Sequence, residues 1–119
     1  MKTVMTGICN GLMAGSIRHI LETVGDFCVL PMNELGTGTA DIVLLEVAHN
    51  SGFTVDERLT EVRAIRSTNP GCRILLLCDE NSTPELARKV AIAKKDRLID
   101  DFVYSSVSES YLTAMLHAI

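Results

Sequence analysis

Residues 40–52 read ADIVLLEVAHNSG. Ile42, Val43, Leu44, Leu45 and Val47 form a nearly continuous apolar run. A half-buried strand would alternate apolar and polar residues, so this run describes a strand covered on both faces, as in a parallel sheet. A carboxylate, Glu46, then stands where the strand should end. The run predicts helices on both sides of it, and the charge marks the carboxyl end of the strand as the place to look for chemistry.

Working outward from this strand, the chain alternates between strand and helix patterns. KTVMTGI (2–8) is a short strand, and GLMAGSIRHILETVG (11–25) carries Met13, Ile17, Ile20, Leu21 and Val24 at helical spacing, with Gly25 as the stop. DFCVLPM (26–32) is a second strand whose Pro31 suits a sheet edge. NELGTGT (33–39) is too short and too rich in glycine for a good helix, so a loop or a single turn is expected there. After the opening strand, Thr54 and Glu57 form a capping box before the stripe Val55, Leu59, Val62 and Ile65, and residues 69–71 (NPG) break the helix. RILLLC (73–78) is the fourth strand. Thr83 as N-cap and Pro84 at the first helical position start a helix with Leu86, Val90 and Ala93 inward. DFVYS (101–105) is the fifth strand, and 108–119 is a closing helix with Leu112, Met115, Leu116 and Ile119 inward. Strands alternating with helices imply an α/β domain with a parallel sheet between two helical layers.

The totals set limits. The 119 residues are one domain's worth, 1–119, and at 47% hydrophobic they can bury a real core. Aromatic residues are only 4%, so that core is aliphatic. A net charge of −4 argues against broad nucleic-acid binding. The chain shows no signal-peptide pattern and no apolar run near the ~20 residues a membrane helix needs. Cys9, Cys28, Cys72 and Cys78 form no CxxC pair. They are expected as reduced thiols of a cytoplasmic protein, with Cys28 and Cys78 packed as small apolar groups inside strands.

Several residues offer sharper chemistry and are weighed against plainer roles. Cys9 lies in a glycine-rich first strand-to-helix loop, where a thiolate at a helix N-terminus could take part in binding or transferring a phosphoryl group. The thiol-phosphatase pattern, however, needs an arginine soon after the cysteine. The first here is Arg18, and no phosphate-loop lysine is present. A semi-buried structural thiol is the better reading of Cys9. A soft metal site from Cys9, Glu46 and Cys78 lacks a fourth ligand, and His49 reads as a loop histidine. Arg88, Lys89, Lys94, Lys95 and Arg97 form a basic run beside Asp96, Asp100 and Asp101, which reads as a solvated helix face before it reads as a docking surface.

Three stretches resemble the receiver domain of response regulators. DIVLLEV resembles its D-x-V-L-L-D-x strand, EVRAIRSTNPGCRILLLCDENS its E-x-I-R-x-x-x-P-x-x-x-I-I-x-L-T stretch, and DDFVYSSVSESYL its D-D-Y-x-x-K-P-F-x-x-x-E-L stretch. The likeness covers nearly the whole chain, mostly through hydrophobic pattern. It implies a flavodoxin-like (CheY-like) three-layer sandwich with a five-stranded parallel sheet in the order 2-1-3-4-5. It also implies that Glu46 occupies the position of the phosphorylated aspartate. The pair of acidic residues that would hold a divalent ion is replaced by Gly7 and Ile8, or by Ile8 and Cys9 if the register slips by one, the phosphoryl-binding hydroxyl by Cys78, and the lysine by Ser105, with Ser106 following it. Phe102 falls at the aromatic switch position. The stretches 46–65 and 88–101 are longer than the pattern.

These substitutions predict a degenerate receiver. No catalytic residue, metal or cofactor is expected, and the crevice at the carboxyl end of the sheet is expected to hold no cation. Glu46 is then a solvated or locally capped carboxylate rather than a mimic of phosphoaspartate. The expected role is non-enzymatic. It is regulation through a protein partner or a homodimer, using the helix near residue 88, the fifth strand and the closing helix, with Arg88, Lys95, Leu98, Tyr104 and Tyr111 as contact residues. The chain is expected either to stand alone or to be the N-terminal part of a longer regulator. The alternative is phosphoryl-ligand binding or cysteine-based phosphoryl transfer at Cys9.

Overall fold

The computed structural model describes residues 2–8, 11–31, 40–47, 54–78, 83–104 and 108–118. Its elements are β1 (Lys2–Gly7), α1 (Gly11–Val24), β2 (Phe27–Pro31), β3 (Ile42–Val47), α2 (Val55–Thr68), β4 (Arg73–Cys78), α3 (Pro84–Lys95), β5 (Asp101–Tyr104) and α4 (Glu109–Ala118). The five strands form one sheet in the order β2-β1-β3-β4-β5, every pair parallel. This is the doubly wound order expected from the sequence. The direction of winding reverses between β1 and β3, which places the crevice of such a fold at their carboxyl ends.

Strand alternation divides the core in two. Val43, Leu45 and Val47 of β3 join Ile74, Leu76 and Cys78 of β4 against Val55, Val62 and Ile65 of α2 and Leu86, Val90 and Ala93 of α3. Ile42, Leu44, Leu75 and Leu77 face the other way, onto Ile17 and Leu21 of α1 and Leu112 and Leu116 of α4. β3 and β4 are therefore covered on both sides, which is why their sequence shows no polar alternation. Each fully buried Leu or Ile there contributes about 1.5–3 kcal/mol.

The helix ends follow their sequence signals. The Thr54 hydroxyl accepts from the Glu57 N–H at 3.3 Å and donates to the Glu57 carboxylate at 2.8 Å. Thr83 accepts from the Leu86 N–H, with Pro84 behind it. Gly25, at φ +84°, takes the left-handed conformation that ends α1.

Two core expectations are corrected. Cys28 is exposed, because β2 is an edge strand with Phe27 and Val29 turned toward α1, and alternation turns Cys28 to the opposite face. Val24 is exposed too, since the inward stripe of α1 ends at Leu21. Ile119 and the loop 33–39 lie outside the described residues. Among the described residues, no helix is long and apolar enough to cross a membrane.

Candidate functional site: the carboxyl-end crevice

A parallel strand ends in carbonyl groups with no next residue on the neighbouring strand to donate to them. Such groups need a partner wherever they are shut off from water. At the seam between β1 and β3 the partner comes from α2. Val55 and Val62 fix that helix to the sheet, and Arg58, three residues after the first and four before the second, is carried onto the same face. The residue is 4% exposed. Its Nε donates to the Glu46 carbonyl at 2.7 Å, and its Nη2 donates to the Gly7 carbonyl at 2.7 Å. Its Nη1 reaches the Glu61 carboxylate at 3.1 and 3.3 Å. One guanidinium thus spans the ends of both strands at the reversal point.

This corrects the expectation of a crevice without a cation. A guanidinium is planar and rigid, and its fork of donors suits two adjacent oxygens. Dehydrating an ion costs several kcal/mol, which the charge-assisted bonds and the Glu61 pair offset. The signal was present in the sequence as a charged residue on the apolar stripe of α2. It was missed because stripe reading counts apolar residues and passes over the rest.

The other expected site positions fall as follows. Gly7 closes β1, and Ile8 packs against the α1/α4 side of the core. Neither supplies an oxygen ligand from a side chain. Glu46 is half-buried and by alternation belongs to the same face as Leu44, whereas Cys78 is buried on the α2/α3 face, so the sheet separates the two side chains. Burial pushes the Cys78 thiol up to about 11, which leaves it protonated at neutral pH and a poor nucleophile. Cys9, His49, Ser105 and Ser106 lie outside the described residues. Among the described residues, no group of three or more His, Cys, Asp or Glu is placed to hold a metal ion. The divalent ion that accompanies phosphoryl chemistry in this type of crevice does not fit the donors described. The Gly7 and Glu46 carbonyls already face a buried cation at 2.7 Å, and a second cation against it would be repelled.

Phe102 is partly buried against the α2/α3 side of the core. Its ring meets Tyr104 edge-on, with centroids 6.1 Å apart, and the Lys94 ammonium lies 5.7 Å from its centroid. Tyr104 and Tyr111 share a groove with Lys94, Phe102 and Met115, and the two tyrosines are 42% and 56% exposed. Arg88 and Lys95 are exposed on α3. Leu98 stands apart from the tyrosines, in the groove between α2 and α3 with Leu59 and Ile92. Within the basic run, Lys89 pairs with Asp56 at 3.2 Å and Lys94 with Asp101 at 3.0 Å.

No protein-family model matches the chain, and no curated protein sequence does. Solved structures do. A response regulator from Thermotoga maritima superposes with a TM-score of 0.73 at 20% identity, over 99% of this chain and 96% of its own. A CheY-like protein from Pseudomonas aeruginosa gives 0.74 at 14%, over 99% and 98%. An adenylate cyclase from Rhodopirellula baltica gives 0.79 at 11%, over 98% and 85%. Shared strand order, matching length and these superpositions agree on one conclusion: the chain has the CheY-like fold of response-regulator receiver domains.

Proposed function

We propose that the chain is a receiver-fold signalling module that works without phosphoryl transfer and acts through protein contact. The observation that carries this reading is Arg58, buried at the β1–β3 seam and bonded to both strand-end carbonyls. Phosphoryl transfer to a carboxylate needs a divalent ion to neutralise the charge on the moving group, and that ion needs hard oxygen ligands. Gly7 and Ile8 offer no carboxylate, and the nearest carbonyls are engaged by Arg58. The protonated Cys78 thiol replaces a hydroxyl with a weak donor. Glu46 serves as a strand-end residue whose carbonyl is held by Arg58.

Contact with a partner or a second copy is assigned to the α3–β5–α4 face. Exposed Tyr104 and Tyr111 supply aromatic area there, with Lys94 and Phe102 between the helices and Arg88 and Lys95 on the outer side of α3. Aromatic and basic groups of this kind dominate the energetics of protein interfaces.

Incubation with acetyl phosphate and Mg²⁺, followed by intact mass and peptide mapping, tests the first part. The expected result is no phosphoryl adduct, and an adduct on Glu46 overturns the reading. Light scattering tests the second. Tyr104→Asp together with Tyr111→Asp should abolish any self-association or partner capture, and unchanged association moves the interface elsewhere.

A further inference from the structure

The misfit between the crevice and a divalent ion points to what occupies the ion's role. We infer that the Arg58 guanidinium is the resident cation of the crevice, tying β1 to β3 and excluding divalent metal from the site. The inference deepens the reading above, since it concerns the same crevice.

Among the described residues, four oxygens converge on this one group. They are the carbonyls of Gly7 and Glu46 at 2.7 Å each and the two carboxylate oxygens of Glu61 at 3.3 and 3.1 Å. Carbonyl and carboxylate oxygens are the ligands that hard cations select. The protein has therefore assembled a cation-binding set and filled it covalently, with a side chain anchored between Val55 and Val62 in the core. A guanidinium has lost its water once, on folding, and cannot dissociate. The charge at this end of the sheet then does not depend on metal concentration. Arg58 is a positioning residue in this scheme: it sets where the ends of β1 and β3 stand relative to α2.

Thermal unfolding of the full chain, followed by circular dichroism, tests this. In the wild type, 10 mM MgCl₂ against KCl of equal ionic strength should move Tm by less than about 1 °C, because the site is already filled. Arg58→Ala should lower Tm by about 10 °C or more. In that variant 20 mM guanidinium, against the same concentration of KCl, should restore several degrees, while the wild type gains nothing. Should Arg58→Ala fail to fold, Arg58→Lys keeps a charge but not the fork, and should melt measurably below the wild type. A rise of several degrees with magnesium in the wild type overturns the inference. An Arg58→Ala variant as stable as the wild type does so as well, and so does one that responds to guanidinium no better than to potassium. A phosphoryl adduct in the mass assay overturns the proposed function whatever the melts show. Magnesium-dependent melting without an adduct overturns only the resident cation.

Discussion

The two ends of the sheet solve the same problem with opposite charges. At the amino end the strands present unpaired N–H groups, and carboxylates accept from them. Asp41 accepts from the Thr3 N–H at 2.8 Å, and Asp100 from the Ile74 N–H at 2.7 Å. At the carboxyl end the unpaired groups are carbonyls, and a guanidinium donates to two of them. The rule is the one that governs helix ends, where orphan donors attract anions and orphan acceptors attract cations. The ends differ in exposure. Asp41 is exposed and Asp100 is half-buried, sharing its charge with Arg66 at 3.1 Å and Arg73 at 3.4 Å. Arg58 is shut away from water. The cap at the carboxyl end is thus the most deeply buried of the three side chains.

That contrast ranks the expected effects of mutation. Arg58→Ala strands two part-buried carbonyls and leaves Glu61 without its partner, and should cost about 3–5 kcal/mol in urea unfolding. A loss below about 1 kcal/mol would mean that water reaches the seam and that the two ends are alike. Asp100→Ala removes the acceptor for Ile74 and the partner of two arginines, and should cost about 1–3 kcal/mol. Asp41→Asn keeps an acceptor at an exposed position and should change stability by under ~1 kcal/mol. If Asp41→Asn matched Arg58→Ala, burial would not be what separates the two ends.

A further prediction concerns the edges of the same strands. Burial pushes both Cys78, at the carboxyl end of β4, and Cys72, just before its amino end, up to about 11. Near Cys72 the Arg66 charge works against that rise, while Asp100 and Asp41 add to it. Below about pH 8 both thiols are protonated whether the chain is folded or not, so they leave stability unchanged. Between about 8 and 11 the unfolded chain gives up its protons first, so stability falls as pH rises. Urea midpoints measured across this range should decline, and Cys72→Ala with Cys78→Ala should flatten the decline. An unchanged slope would mean that the alkaline loss has another origin.

Much of this architecture is written in local pattern. The apolar runs 42–47 and 73–78, the caps at Thr54 and Thr83 and the stop at Gly25 each depend on neighbours within a few residues, so the order of elements could be read directly. The resemblance to receivers then ordered the strands and located the crevice. What could not be read was the content of that crevice. Arg58 acts on the backbone carbonyls of Gly7, 51 positions away, and of Glu46. No spacing rule links a helix side chain to a backbone group on another strand. Attention to side chains at Glu46, Cys78 and the first loop passed over the cation supplied from α2. Cys28 failed for a related reason: an apolar run does not say which strand lies at the edge of the sheet.

The aliphatic core has one more effect. The chain contains no tryptophan and two tyrosines, and both tyrosines stand on the α3–β5–α4 face. Its ultraviolet emission therefore comes from that surface and not from the interior. Without any attached label, fluorescence from this molecule is a reporter of whatever settles over Tyr104 and Tyr111, and it responds little to the packing beneath.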